Sequence, residues 1–301
     1  MKQGVEYYML NRLKRKYDLS GYLFIAPAMV FFVTFVLYPM IKGIHMSLYR
    51  FRGRRQLFVG LDNYLKLLDD RVFLRSMGNT MFIVAIAVPI VVVLSLFIAI
   101  NIYNKSAAVR SFFRGVFYLP AVSSVVSITV VWLWIYNPDF GILNYVLKSM
   151  HIVDGNVQWL GNSATAIYAI IVVLITTSIG QPIILYIAAL GNVPVELIES
   201  AKIDGATNWT IFKNIIWPLI IPTTLYIVVT TTINSFQIFA LIQLMTAGGP
   251  NYATSTVMYL VYETGIKIQD YGKASAMGVI LAAIIALIST LQFKYLNRDI
   301  D

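Results

Sequence analysis

A chain of 301 residues that is 58% hydrophobic and only 12% charged cannot clothe a water-exposed surface in polar groups, so it is not a soluble globular domain. Its lack of cysteine excludes disulfides, thiolate metal sites and cysteine nucleophiles, and His45 and His151 lie too far apart for a metal-binding helix motif. The formal net charge of +9 sits outside the long apolar runs, where it reports topology rather than chemistry.

Residues 1–19 read as a basic arm, with Arg12, Lys14, Arg15 and Lys16 suited to an anionic membrane leaflet. The first apolar run covers 20–41. Ala26-Pro27-Ala28 mimics a signal-peptidase site, but the run continues to Tyr38. That exceeds the 7–15 residues of a cleaved core, so a retained span is predicted. Five more runs follow near 80–102, 115–136, 165–190, 216–240 and 274–293. Each reaches the ~20 apolar residues needed to cross a bilayer, and none contains Lys, Arg, Asp or Glu. Pro27, Pro89, Pro120, Pro182 and Pro222 fall inside them, which membrane helices tolerate. The expected fold is an all-α integral membrane protein with six transmembrane helices.

The loop between the first two spans, 42–79, carries the cluster Arg50, Arg52, Arg54 and Arg55. Leu61, Tyr64, Leu65 and Leu68 recur at helical spacing, which predicts an interfacial helix there. Outside this loop, one set of connecting segments holds 12 Lys and Arg and the other holds 3. The bias predicts both termini inside the cell; the basic first loop runs against it.

The third span holds Pro120, Ser123, Ser124, Ser127 and Thr129, then Trp132 and Trp134 at the level of an outer aromatic belt. Hydroxyls there serve close helix packing or a pore. In the fourth span, Gly180 and Pro182 loosen the helix beside Gln181. The fifth carries Thr230, Asn234, Ser235 and Gln237. Amides at membrane depth need partners. They either bond between helices or form a polar site for a neutral, hydroxyl-rich solute, with Phe236 and Phe239 able to stack on sugar faces.

Between these two spans lies a partly charged segment from Val193 to Pro222. Pro194 suits the first turn of a short helix, and Glu196 and Glu199 suit its early dipole. The helix is predicted to reach Ile203 and to stop at Asp204-Gly205, where glycine takes the left-handed position. A second helix is predicted to start after Thr207. Its plain reading is an interfacial connector. However, Glu199-Ser-Ala201-x-x-Asp204-Gly205-Ala206, then Ile211-Phe212-x-x-Ile215-x-x-Pro218-x-x-x-Pro222, resembles the EAA loop of binding-protein-dependent ABC importer permeases. Ser200 departs from the alanine more usual there. The resemblance implies the type I importer transmembrane fold. It also implies a coupling helix docking into a separate ATPase through Glu199, Ala201, Asp204, Gly205 and Ala206.

Phe239 to Pro250, FALIQLMTAGGP, and Asp270 to Ala276 resemble the carbohydrate-uptake branch of that family, near its larger maltose-type subunit. The likeness covers about 60–293. By it, Thr176, Gly180, Ile183, Asn234, Ser235 and Gln237 align near sugar-contact positions. The chain divides into an arm (1–19), a first helix with its basic outer loop (20–79) and a permease core (80–301) with a coupling loop at about 191–215.

Three functions compete: an ATP-driven importer permease, an ion-coupled secondary sugar transporter and a membrane enzyme. Proton-coupled carriers commonly place an acid or histidine inside the membrane, and these spans hold none. No HExxH or GxSxG pattern supports an enzyme, so no catalytic residue is assigned. Gly272-Lys273 lacks the spacing of a phosphate-binding loop. The resemblance implies a permease subunit in a bacterial inner membrane that imports an oligosaccharide. It has no cofactor or metal of its own; ATP and Mg belong to a partner ATPase dimer. A second, different permease, an extracytoplasmic solute-binding protein and lipid complete the partners, with no nucleic acid.

Overall fold

The computed structural model describes residues 21–53 and 55–296; the basic arm at 1–19 and Arg54 lie outside them. The first helix, α1, runs Gly21–Ser47. Among the described residues nothing buries its apolar stretch. Only its end packs, with Met40, Gly43 and Ile44 facing the last helix across an apolar groove.

An antiparallel hairpin follows, β1 (Tyr49–Arg52) and β2 (Arg55–Phe58), with Tyr49 opposite Phe58. Gly53 turns it at φ +59, a conformation other residues resist. The all-α expectation omits this hairpin. Its signal is the alternation of Tyr49 and Phe51 with Arg50 and Arg52, a period of two masked by the charge.

Helix α2 (Asp62–Leu68) locks onto the hairpin through buried Asn63, which donates to the Ser47 carbonyl at 2.7 Å and the Tyr49 carbonyl at 3.0 Å. Leu67 is buried, while Leu61, Leu65 and Leu68 are exposed, as an interfacial helix requires. Helix α3 (Arg71–Tyr103) then begins well before residue 80. Asp70 caps it, accepting from the Val72 and Phe73 amides at 2.9 and 3.2 Å, so the expected loop 42–79 is largely structured.

The third span is not one straight helix. α4 (Ala107–Val122) and α5 (Val125–Ile135) meet at 100°. Pro120 withdraws one amide donor. Ser123 is extended (ψ 150), with its hydroxyl turned back to the Leu119 carbonyl at 2.7 Å. After the short α6 (Ile142–Ser149) come α7 (Ala166–Ser178) and α8 (Gly180–Gly191), bent by 42°.

The remaining elements are α9 (Val195–Ile203), α10 (Asn208–Phe236), α11 (Ala240–Met245), α12 (Val257–Tyr262) and α13 (Tyr271–Leu296). Among the described residues, α1, α3, α10 and α13 are each long and apolar enough to cross a membrane, and the two bent pairs raise the count to six. With each bent pair counted as one span, the start of α1, the 191–215 loop and the end of α13 share one side.

Buried apolar side chains gather around Ile170 and Ile242, around Phe236 and Met277, and around Ile183 and Ile227. At the outer end, hydroxyls clamp α3 to the loop before α12. Ser76 donates to Ser255 at 2.8 Å, and the Thr80 hydroxyl accepts from the Val257 amide at 3.0 Å. Such bonds contribute roughly 0.5–1.5 kcal/mol each, and here they also satisfy groups cut off from water.

Candidate functional site

Two features of the fold bear on the expected permease role: an exposed turn between α9 and α10, and a polar pocket between apolar helices.

The turn follows its sequence signals closely. Pro194 stands just before α9 with extended ψ of 124, one position earlier than the first turn expected for it. Asp204 ends the helix, and Gly205 takes φ +78. The Gly205 amide donates to the Lys202 carbonyl at 3.1 Å and the Ala206 amide reaches back to the Ala201 carbonyl at 2.9 Å. These two bonds close the helix around a left-handed residue. The Thr207 hydroxyl then accepts from the Thr210 amide at 3.3 Å and starts α10. Glu199, Asp204 and Gly205 are exposed; Ala201 and Ala206 are half-buried. Beside them, Ile203 is 87% and Trp209 70% exposed, an apolar display at odds with a water-facing loop. Behind α9 a recess of about 370 Å³ reaches Tyr103 and Asn104 at the inner end of α3.

The polar pocket, about 200 Å³, lies where α7 and α8 face α10. Thr177, Ser178, Gln181, Thr230, Thr231 and Asn234 line it, with Ala121, Pro182, Leu185 and Ile227. Thr177 donates its hydroxyl to the Val173 and Leu174 carbonyls, and Thr230 to the Tyr226 carbonyl. Their oxygens therefore remain as acceptors, while Gln181 and Asn234 bring both donors and acceptors. Among the described residues no ionisable side chain lines this space, and no three His, Asp or Glu side chains converge as a metal site requires.

Of the residues aligned with sugar contacts, Asn234 lines the pocket. Thr176 is half-buried and bonded to the Val173 carbonyl at 2.8 Å. Ile183 and Ser235 are buried among neighbouring helices, and Gln237 is exposed at the end of α10, outside the pocket lining. Gly180 serves close approach: a Cβ there would meet the Phe117 carbonyl oxygen at 2.3 Å. The set aligned by the family likeness omits Thr177, Ser178, Gln181, Thr230 and Thr231, although Gln181 and Thr230 are already candidates for a polar site by their place at membrane depth. Their signal is a shared spacing, since 177, 178, 181 and 230, 231, 234 each mark one helix face.

Residues 70–301 match the model of the binding-protein-dependent transport system inner membrane component. The chain belongs to this family. It is therefore an inner-membrane transport subunit, a permease and not an enzyme. It is 31% identical over 292 residues to the lactose transport system permease protein LacF of Rhizobium radiobacter, covering 96% of this chain and 97% of that protein. It is 33% identical over 285 residues to the probable starch degradation products transport system permease protein AmyD of Thermoanaerobacterium thermosulfurigenes, covering 93% and 95%. Its fold matches a chain of a bacterial ABC transporter involved in the import of the acidic polysaccharide alginate. The TM-score is 0.83 at 24% identity, over 95% of this chain and 99% of that one. That likeness fixes the type I importer permease fold.

Proposed function

We propose that this permease is one transmembrane half of an ATP-driven importer for a neutral oligosaccharide, delivered by an extracytoplasmic solute-binding protein. The observation that carries the solute class is the pocket of Thr177, Ser178, Gln181, Thr230, Thr231 and Asn234, which offers hydroxyls and two amides with no charged side chain. A neutral sugar asks for such partners. A carboxylate or phosphate asks for a cation, above all the fork of an arginine. Relatives named for lactose and for starch degradation products support this reading.

In the proposed mechanism, ATP and Mg bind a separate ATPase dimer. Its closure draws on α9 through the surface of Glu199, Ala201, Asp204, Gly205 and Ala206, to which Ile203 and Trp209 add apolar contact. The capped turn and α10 transmit the movement as rigid elements. The pocket, completed by a second permease, opens to each side in turn, and ATP shifts the balance between the two states.

Co-purification from native membranes tests the assembly: an ATPase and a second permease are expected with this chain. Reconstituted with its partners, the complex should show ATPase stimulated by neutral oligosaccharides on their binding protein, and none by uronate oligomers. Solute uptake by this chain alone in liposomes without ATP would overturn the proposal.

A further inference from the structure

A second cavity, of about 520 Å³, opens near the outer end of the molecule between α5, α6 and the start of α7. Trp132, Tyr136, Leu143, Trp159, Tyr168 and Val172 form most of its wall. Unlike the pocket beside Asn234, its wall is apolar because the polar groups are used internally. The Tyr136 hydroxyl donates to the Ala169 carbonyl at 3.1 Å, the Trp159 indole N–H to Asn144 at 2.9 Å, and the Thr165 hydroxyl to the Trp159 carbonyl at 2.8 Å. A hydroxyl-rich solute would lose its water here and gain little in return.

The cavity also looks away from the transport pocket. On α7, Thr177 and Ser178 stand five and six residues beyond Val172. At about 100° per residue they straddle the direction opposite to Val172. Tyr168 and Val172 are both exposed at the mouth. Tyr168 meets Phe82 of α3 edge-on at 5.7 Å, so the mouth continues onto the flank of a membrane-crossing helix. Tryptophan and tyrosine rings mark the headgroup level of a bilayer, and a dry apolar slot beginning at that level fits a hydrocarbon chain.

We propose that this cavity is a binding site for one acyl chain of an outer-leaflet phospholipid. The lipid wedges α5 and α6 against α7 and so braces the segment beyond the 100° bend.

The test uses the importer complex purified from native membranes and placed in nanodiscs with a phospholipid carrying a diazirine on one acyl chain. After photolysis, adducts are mapped by mass spectrometry. Adducts are expected on the cavity residues Tyr136, Leu143 and Trp159, and also on Phe24 and Phe31 of α1, which report ordinary bilayer contact. Val172→Trp, which crowds the mouth, and Leu143→Phe, which fills the floor, should each cut the labelling of Tyr136 and Trp159 at least several-fold, with α1 labelling unchanged as the control for folding. Equal labelling of the cavity in both variants overturns the site. So does its absence in the wild-type complex, the result expected if a protein segment covers the mouth. Displacement of the cavity label by a soluble oligosaccharide would also overturn it.

Discussion

Lys273 donates to the Asp70 carboxylate at 2.6 Å, although the two residues stand 203 positions apart in the chain. The pair joins the outer end of α3 to the outer end of α13. Asp70 does two things at once, since its other oxygen caps α3 through the Val72 and Phe73 amides. Burial pushes its carboxyl up, but the Lys273 ammonium and those two amides outweigh burial and hold it below the usual carboxylate value.

A depressed acid stabilises the folded state above its unfolded pKa, and that contribution is lost as pH falls through the folded value. The purified permease should therefore lose thermal stability below about pH 4, the ordinary carboxylate range, and Asp70→Asn should flatten that part of the profile. At neutral pH, Asp70→Ala removes cap and partner together. It should cost about 1–2 kcal/mol for the cap alone, seen as a lower melting temperature in detergent. Lys273→Met should cost less, because the cap survives.

The turn at Gly205 predicts a separation of strain from sterics. A Cβ at Gly205 would meet nothing within 4 Å, yet φ is +78. Gly205→Val should add about 1–2 kcal/mol of left-handed strain and uncouple solute-stimulated ATPase. Gly205→Asn should retain most coupling, because asparagine tolerates this conformation. Glu199→Lys reverses an exposed charge and should weaken attachment of the ATPase while leaving docking of the binding protein intact. Normal coupling in Glu199→Lys and Gly205→Val alike would reject this surface as the attachment site.

Gly180 and Gln181 are adjacent but should fail differently. Gly180→Ala drives a methyl toward the Phe117 carbonyl oxygen, so α8 must part from α4 and thermal stability should fall first. Gln181→Leu and Asn234→Leu remove pocket amides without a clash. Each should raise the half-saturating solute concentration up to about tenfold, at roughly 0.5–1.5 kcal/mol per lost hydrogen bond, with melting unchanged. Wild-type uptake kinetics in both would assign the amides to helix packing.

What the sequence discloses here depends on how local the physics is. Asp204, Gly205 and Thr207 specify the end of one helix and the start of the next through their own backbone and hydroxyl chemistry, so that turn is legible residue by residue. The long apolar runs disclose the crossings for the same reason. The bend at Ser123-Ser124 is not legible, because Pro120 also occurs as a type within straight spans such as α3, which keeps Pro89. The pocket lining demands the rotation of α7 and α8 about their axes, which the Ile179 bend and the contact of Gly180 with Phe117 set together. A family pattern aligned on Thr176, Gly180 and Ile183 cannot supply that rotation.

The basic first loop divides into unlike arginines. Arg50 forms an ion pair with Asp62, and Lys66 also reaches Asp62, at 2.7 Å. The Lys66 hydrogen bond leads the effects that hold the Asp62 carboxyl low, against a smaller upward push from burial, with the charges of Lys66 and Arg50 adding to it. Arg50 therefore ties β1 to the start of α2, whereas Arg55 is exposed on β2. If the loop steers an acidic face of the binding protein, the contribution should come from Arg55 and should fade with salt, since the screening length falls from about 10 Å at 0.1 M to about 3 Å at 1 M. Arg55→Gln should lower the affinity of the reconstituted complex for its binding protein at low salt and match wild type at high salt, without changing melting. Arg50→Gln should instead loosen the hairpin, read as faster proteolysis between Tyr49 and Phe58 at every salt concentration. An Arg55→Gln complex that binds like wild type throughout the salt series removes Arg55 from any landing site for the binding protein.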